Sequence, residues 1–241
     1  VYHKSKTLEL ARSLSILVPE SHIFTNEIDA LSFFKKKGSN EPLIGKPDVS
    51  KVWSGEYRVD LGVEVINGEE NARSFLRSTL PFAPVLIQER VPGVGIGQEF
   101  LARNGEIILS FQHERVHEPS GSGGSSYRKS TPLHKGIYAC SRKLIQALNW
   151  NGVCMIEYRW DPKTDMFWFM EINGRFWGSL PLAIRAHRTK PSRVTIQTVV
   201  SYTLWIIMVT LNLGVMIVKG TGTWNNRDTM IMACVIIGSS I

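Results

Sequence analysis

A carboxylate, an amide and a guanidinium stand at alternate positions at the end of an apolar run, where Phe167-Trp168-Phe169-Met170 leads into Glu171-Ile172-Asn173-Gly174-Arg175. In an extended chain, residues at i, i+2 and i+4 share a face, so Glu171, Asn173 and Arg175 are expected to emerge together where a buried strand ends. A carboxylate beside an amide oxygen suits a hard cation such as Mg²⁺, which takes oxygen ligands and completes its octahedron with phosphate oxygens and water. An arginine two positions on, always charged and forked, suits a phosphoryl or carboxylate group bound to that cation. The plainer alternative is a structural ion pair between Glu171 and Arg175 at a strand end.

A second run, Val153-Cys154-Met155-Ile156-Glu157-Tyr158, brings another carboxylate after buried apolar residues. Asp161-Pro162-Lys163-Thr164-Asp165 reads as the turn joining the two runs into a hairpin. On that reading Glu157 and Glu171 share one metal.

The elements that must position these acids are legible upstream. Lys4 to Leu14 carries Leu8, Ala11 and Leu14 at helical spacing, and a short strand follows at His22-Ile23-Phe24. Asn26 caps a second helix that runs into the basic turn Lys35-Lys36-Lys37 and stops at Gly38. Leu43-Ile44-Gly45-Lys46-Pro47 is a buried strand whose lysine can reach inward to nucleotide phosphates; the alternative is an ordinary exposed lysine. Val49 to Val59 reads as a mobile loop, Gly62 to Ile66 as a strand and Glu69 to Leu76 as a helix. Val85-Leu86-Ile87-Gln88-Glu89-Arg90-Val91 is a strand broken at Pro92-Gly93, where backbone groups released from the ladder can meet a flat heterocycle. Lys135 to Leu148 is the longest helix.

Three tempting motifs fail on context. Gly93-Val94-Gly95-Ile96-Gly97 does not complete GxGxxG in either register. His113-Glu114-Arg115-Val116-His117 spells HExxH, but Ile107 to Phe111 before it reads as strand and Pro119 after it forbids the helix a zinc protease needs. The run Ser120 to Ser126 is glycine-rich but is followed by Arg128-Lys129-Ser130 rather than Gly-Lys-Ser, so it reads as a linker or, preferably, a flexible lid over phosphates.

Taken together, the pieces from about Lys4 to Ala186 resemble the ATP-grasp superfamily, most closely its carbamoyl-phosphate-synthase-like or predicted ATP-dependent carboligase members. Met170 to Ser179, with Glu157 upstream, carries the resemblance. It implies an α+β fold in which two sheet-bearing subdomains sandwich ATP: a domain over 1–187, with subdomains of about 1–86 and 92–187. It implies that Lys46 contacts the phosphates, that Gln88, Glu89 and Val91 clasp adenine, and that Glu157, Glu171 and Asn173 hold Mg²⁺ (or Mn²⁺). Arg175 then faces the reacting phosphoryl group, Arg115 and His113 are candidates for the substrate side, and Arg115 is also counted with the residues that bind the cofactor. The implied activity is a carbon–nitrogen-bond-forming ligase in which a small-molecule carboxylate is phosphorylated by ATP and the acylphosphate is captured by an amine or another nucleophile. In the family a preceding domain helps form the acceptor site, and this chain, which begins at Val1, starts too late to contain it. A non-catalytic nucleotide-binding or membrane-associated module is the competing reading.

Composition narrows the remaining classes. The net charge of +7 would suit a polyanion, but the basic residues are scattered rather than gathered in one block, so no nucleic-acid partner is expected. Cys140, Cys154 and Cys234 are too few and too far apart for a zinc site or a disulfide framework, which fits a reducing compartment. The tail, 188–241, is apolar, and Val194 to Val218 contains no charged residue, long enough to span a bilayer at about 1.5 Å per residue. Arg188, Lys190 and Arg193 before it favour a cytoplasmic catalytic part on the positive-inside rule.

Overall fold

The computed structural model describes residues 2–37, 42–117 and 127–189, and residues 1–189 form one compact unit. The element order is α1 (Lys4–Ser13), β1 (Ser21–Phe24), α2 (Glu27–Lys37), β2 (Leu43–Pro47), β3 (Lys51–Ser54), β4 (Tyr57–Asp60), β5 (Glu64–Ile66) and α3 (Glu69–Thr79). It continues with β6 (Val85–Glu89), β7 (Val94–Arg103), β8 (Glu106–His117), β9 (Tyr127–Ser130), α4 (Lys135–Ala147), β10 (Gly152–Asp161), β11 (Met166–Asn173) and α5 (Leu180–Thr189). The expected Ser120–Ser126 lid, the Gly38 helix stop and the candidate membrane span 194–218 lie outside the described residues. Among the described residues, no helix is long and apolar enough to cross a membrane.

The strands form two main antiparallel sheets, ordered β1-β6-β2-β5 and β11-β10-β7-β8-β9. Ala30, Leu31 and Phe34 of α2 and Ala72, Phe75 and Leu76 of α3 share a core with Leu43, Ile66, Val85 and Ile87 of the first sheet. Asn26 accepts the Asp29 N–H at 2.9 Å through its Oδ1, so the expected cap starts α2. The second core gathers Ile137, Leu144 and Ile145 of α4 against Phe100, Ile156, Tyr158, Phe169 and Ile172 of the second sheet. Leu8 and Ala11 of α1 belong to this second core rather than the first, and the Phe169 N–H donates to Leu17 O at 2.9 Å. The opening helix thus packs against the sheet that carries the acids.

One expectation is corrected. Val49 to Val59 is not a plain loop: Lys51–Ser54 and Tyr57–Asp60 pair as a two-stranded hairpin, turned by Gly55 at φ +61°. Its strands are short and mostly exposed, so the alternating apolar signal that marks a half-buried strand is missing from the sequence.

Candidate functional site

The two acids meet because of a β-bulge. From Asp161↔Met166 to Tyr158↔Phe169 the β10–β11 register is regular, but the next pair is Glu157↔Glu171, so Met170 is an extra residue. Strict alternation would put Phe169 and Glu171 on one face. Phe169 is fully buried in the core, and the bulge lets Glu171 turn to the opposite side, across from Glu157. Asn173 Nδ2 donates to Glu171 Oε1 at 2.9 Å and lies 3.4 Å from Glu157 Oε1, which gathers two carboxylates and one amide at one point.

The floor beneath them is bare on purpose of packing. Glu157 pairs with Gly97, and Gly97 pairs with His113, whose ring lies where a Cβ at Gly97 would have to be. With no side chain on β7 at this point, Arg115 of β8 crosses to β10 and donates through Nη2 to Glu157 Oε2 at 2.5 Å. The GxGxG run that failed as a dinucleotide motif therefore serves close approach across a sheet. Gly93, at φ +99°, is a second such case, since a Cβ there would collide with the Trp160 carbonyl. Its own carbonyl accepts from Arg159 Nη2 at 2.7 Å.

Lysines from elsewhere complete the surroundings. Lys46 of β2 donates through Nζ to Gln88 Oε1 at 2.6 Å, and Gln88 Nε2 donates to Ser21 Oγ at 2.8 Å. Burial pushes Lys46 down to about 8, while the negative charges of Glu171 and Glu157 pull it back up and Lys4 and Arg159 oppose them. Glu157 moves the other way. Burial and then the charge of Glu171 push it up to about 7, against the lowering by Arg115, Arg128 and Lys46. The short Arg115 ion pair alone would argue for a lowered value; here the loss of hydration and the facing carboxylate outweigh it. Lys4, at the start of α1, is also lowered by burial and raised by Glu171 and Asp48; its Nζ donates to Ser50 Oγ at 2.6 Å and Pro47 O at 3.1 Å.

The structure thus brings together Lys46, Gln88, Arg115, Glu157, Glu171 and Asn173. Arg175 is placed differently from the alternation expected of it. β11 ends at Asn173, so Arg175 lies in the following loop, exposed, with Nη1 donating to Phe176 O at 3.2 Å rather than paired with Glu171. Glu89 is tied down: its N–H donates to Glu20 O at 2.9 Å and its Oε1 accepts the Glu20 N–H at 2.8 Å. Val91 is buried. His113 is buried on the same face and bonds Glu99 at 3.0 Å. Three residues that sequence reasoning left out are Lys4, Arg128 and Arg159, each acting electrostatically on an acid or on Lys46. Only the strand register could have found Arg159, which falls two residues after Glu157 and therefore on its face.

Two facing, half-buried carboxylates with an amide beside them fit a divalent oxygen-liganded cation, which would offset the repulsion that contributes to raising Glu157. Among the described residues, no three or more His, Cys, Asp or Glu side chains are gathered so as to hold a metal ion by themselves, so a cation here would need oxygen ligands from its nucleotide or from water.

Comparison with known proteins bears on the fold and on one stretch of the chain. Residues 130–196 match the family described as carbamoyl-phosphate synthase L chain, ATP binding domain. The chain is similar to D-alanine--D-alanine ligase from Bacillus anthracis complexed with ATP, at 16% identity and TM-score 0.53 over 71% of this chain and 52% of that one. It is similar to an L-amino acid ligase from Bacillus licheniformis at 17% identity and TM-score 0.56, over 74% of this chain and 41% of that one. A third similar structure is a RiPP-associated ATP-grasp ligase from Chryseobacterium gregarium in complex with ADP and a leader and core peptide, at 16% identity and TM-score 0.52 over 70% and 51%. The class defined by fold and match is that of α+β proteins built from two sheet-bearing parts. The chain shares the fold of these solved ligase structures, and its residues 130–196 carry the match to the ATP-binding-domain family. It spans about half the length, or less, of these solved structures.

Proposed function

We propose that the chain is an ATP-binding, Mg²⁺-dependent ligase domain. The observation that carries this reading is the meeting of Glu157, Glu171 and Asn173 beneath cations that come from separate elements, Lys46 from β2 and Arg115 from β8. Lys46 and Lys4 hold the phosphates of the nucleotide, and Gln88 keeps Lys46 directed at them. The strand end through Val91 lies against the adenine, while Glu89, engaged with Glu20, shapes that edge rather than gripping the base. Glu157, Glu171 and Asn173 hold the cation, which supplies neutralisation of the β- and γ-phosphate charge when bound.

In the reaction, a carboxylate oxygen of a small-molecule substrate attacks the γ-phosphorus, the bond to the β-bridging oxygen breaks, and ADP leaves. An amine nitrogen then attacks the acyl carbon, inorganic phosphate departs with the bonding pair, and the amine proton goes to solvent. Phosphoryl transfer asks the protein for position and charge rather than for a nucleophile, and Lys46, Arg115 and Arg175 supply both. The ligase names of the similar structures support this class of chemistry.

Isothermal titration with Mg·ATP tests the reading. Glu171→Ala is expected to weaken affinity by about 100-fold, or roughly 2.8 kcal/mol, because one of two carboxylates and the partner of Asn173 are lost together. Unchanged binding in that variant contradicts it. A second reading, a nucleotide-binding module without turnover, draws support from Arg175, whose guanidinium donates to Phe176 O rather than meeting the acids; ATP binding with no ADP release across a panel of carboxylates and amines would favour it.

A further inference from the structure

We infer that Glu99, acting through Ser179, is a positioning residue that fixes the loop carrying Arg175; the inference rests on the nucleotide reading above. The loop runs from Asn173, the last residue of β11, to the start of α5. Gly174, Arg175, Phe176 and Gly178 are exposed, so this segment has little packing of its own. It is held at Trp177, which is buried, and at Ser179, which is 4% exposed.

Ser179 joins three parts of the molecule. Its carbonyl accepts the Ala183 N–H at 3.1 Å and so opens α5, while its hydroxyl donates to Glu99 Oε1 on β7 at 2.5 Å. The same carboxylate oxygen lies 3.0 Å from His113 Nδ1 on β8, within hydrogen-bond distance. Glu99 stands on the face of the acids: it pairs with Met155, and Met155 pairs with Asn173, one row from Glu157 and Glu171. The loop is therefore pinned at both ends to the sheet surface that holds the metal ligands.

A carboxylate is an expensive way to fill this place. Glu99 is 2% exposed, and its Oε2 has no hydrogen-bond partner among the described residues. An ionised acceptor makes shorter and stronger bonds than a neutral one and so fixes the direction of a hydroxyl that an apolar residue would leave free. What it holds in place is the path of residues 174–178. Among the described residues, the Arg175 guanidinium donates to the neighbouring Phe176 carbonyl rather than to the sheet. Its approach to the acids therefore depends on the backbone that carries it. Since Arg175 is assigned to the terminal phosphate, loosening the anchor should be felt by ATP and not by ADP.

Affinities of the full chain for Mg·ATP and Mg·ADP test this. Ser179→Ala and Glu99→Leu are each expected to weaken ATP binding about tenfold and to leave ADP binding within about twofold, the size of one charge-assisted hydrogen bond felt through one ligand group. Glu99→Gln, whose amide oxygen still accepts from Ser179, should recover most of that loss. In an Arg175→Ala background neither change should add anything, because residues that act through one another are not additive. Equal losses for ATP and ADP, or full additivity with Arg175→Ala, overturn the inference. Hydrogen exchange without nucleotide gives an independent arm: amides of 174–179 should exchange faster in Ser179→Ala while β10 and β11 stay protected. Unchanged exchange there removes the anchor whatever the protein binds. A wild-type chain that binds no Mg·ATP refutes the nucleotide reading instead, and the exchange arm alone then decides the anchor.

Discussion

The two faces of the five-stranded sheet both bury polar side chains and treat them in opposite ways. Towards α4, the groups are neutral and close on one another. Gln98 Nε2 donates to Gln112 Oε1 at 2.8 Å, and Gln112 Nε2 donates to Thr131 Oγ1 at 3.0 Å and Pro132 O at 2.9 Å. Ser141 Oγ donates to Gln98 Oε1 at 2.8 Å and lies 3.0 Å from the Tyr158 hydroxyl. On the other face the groups are ionisable and like meets like: Glu157 faces Glu171 although Arg115 pairs with it, and Glu99 leaves one oxygen without a described partner. A closed neutral network specifies packing, whereas facing carboxylates cost stability and make sense where a ligand offsets the charge. The difference separates what holds the sheet together from what the sheet is for.

Removing Met170 should break the contrast most severely. Without the extra residue, Glu171 can face the site only by turning Phe169 out of the core, or Phe169 stays and Glu171 is buried among apolar residues. Loss of Mg·ATP affinity by more than about 100-fold, together with a loss of several kcal/mol of stability, is expected in calorimetric titrations and melts. Retained tight binding would show that the bulge is not what pairs the acids.

Gln112→Ala probes the neutral face alone. It strands the Gln98 amide and the His134 N–H, which donates to Gln112 Oε1 at 3.0 Å, and should cost about 2 kcal/mol in denaturant unfolding. Mg·ATP affinity should stay as in wild type. Glu171→Ala should do the reverse: the affinity falls by about 100-fold, while the melting temperature moves less than in Gln112→Ala, because relief of the repulsion with Glu157 offsets the lost Asn173 hydrogen bond and lysine attraction.

The smallest expected effect is the pH dependence. The cation takes the ionised form of Glu157, held up to about 7, so Mg·ATP affinity should rise with pH through that value. Phosphate prefers charged Lys46, held down to about 8, so affinity should fall again above it. A maximum between the two, with affinity roughly fivefold lower at pH 6 than at pH 7, is expected from simple titration. Glu157→Gln should flatten the acid limb. For the ligand-free protein the sign is opposite. The folded value of Glu157 lies above its ordinary one of 4.5, so its contribution to stability is present in acid and is lost as pH rises through about 7. Melts of the ligand-free chain between pH 5 and 8 that showed the reverse trend, absent in Glu157→Gln, would contradict the raised value.

Much of this arrangement could be read from the residues in order. The hairpin of β10 and β11, the helices around Leu8, Phe34, Phe75 and Leu144, and the strand ending in Lys46 all follow from local periodicity and turn chemistry. So does the meeting of Glu157, Glu171 and Asn173 side by side, because hairpin partners are close in sequence. The β3–β4 hairpin was missed because exposed strands carry no apolar alternation. The proximity of Lys4 to Glu171 gives no sequence signal, because a lysine at the start of an amphipathic helix has an adequate local explanation as a solvated charge.

What the amino-acid order by itself determined was the chemistry on offer: two carboxylates, an amide, a buried lysine and arginines, each on an identifiable element. The tertiary structure decided their use. It turned Glu171 away from Phe169 through a bulge, laid Arg115 across the bare glycines of β7, and brought Lys4 and Lys46 from distant elements to the same acids. The physical reason is that side-chain type is local, but register and electrostatic neighbourhood belong to hydrogen-bonded ladders and packed faces, which join residues more than a hundred positions apart.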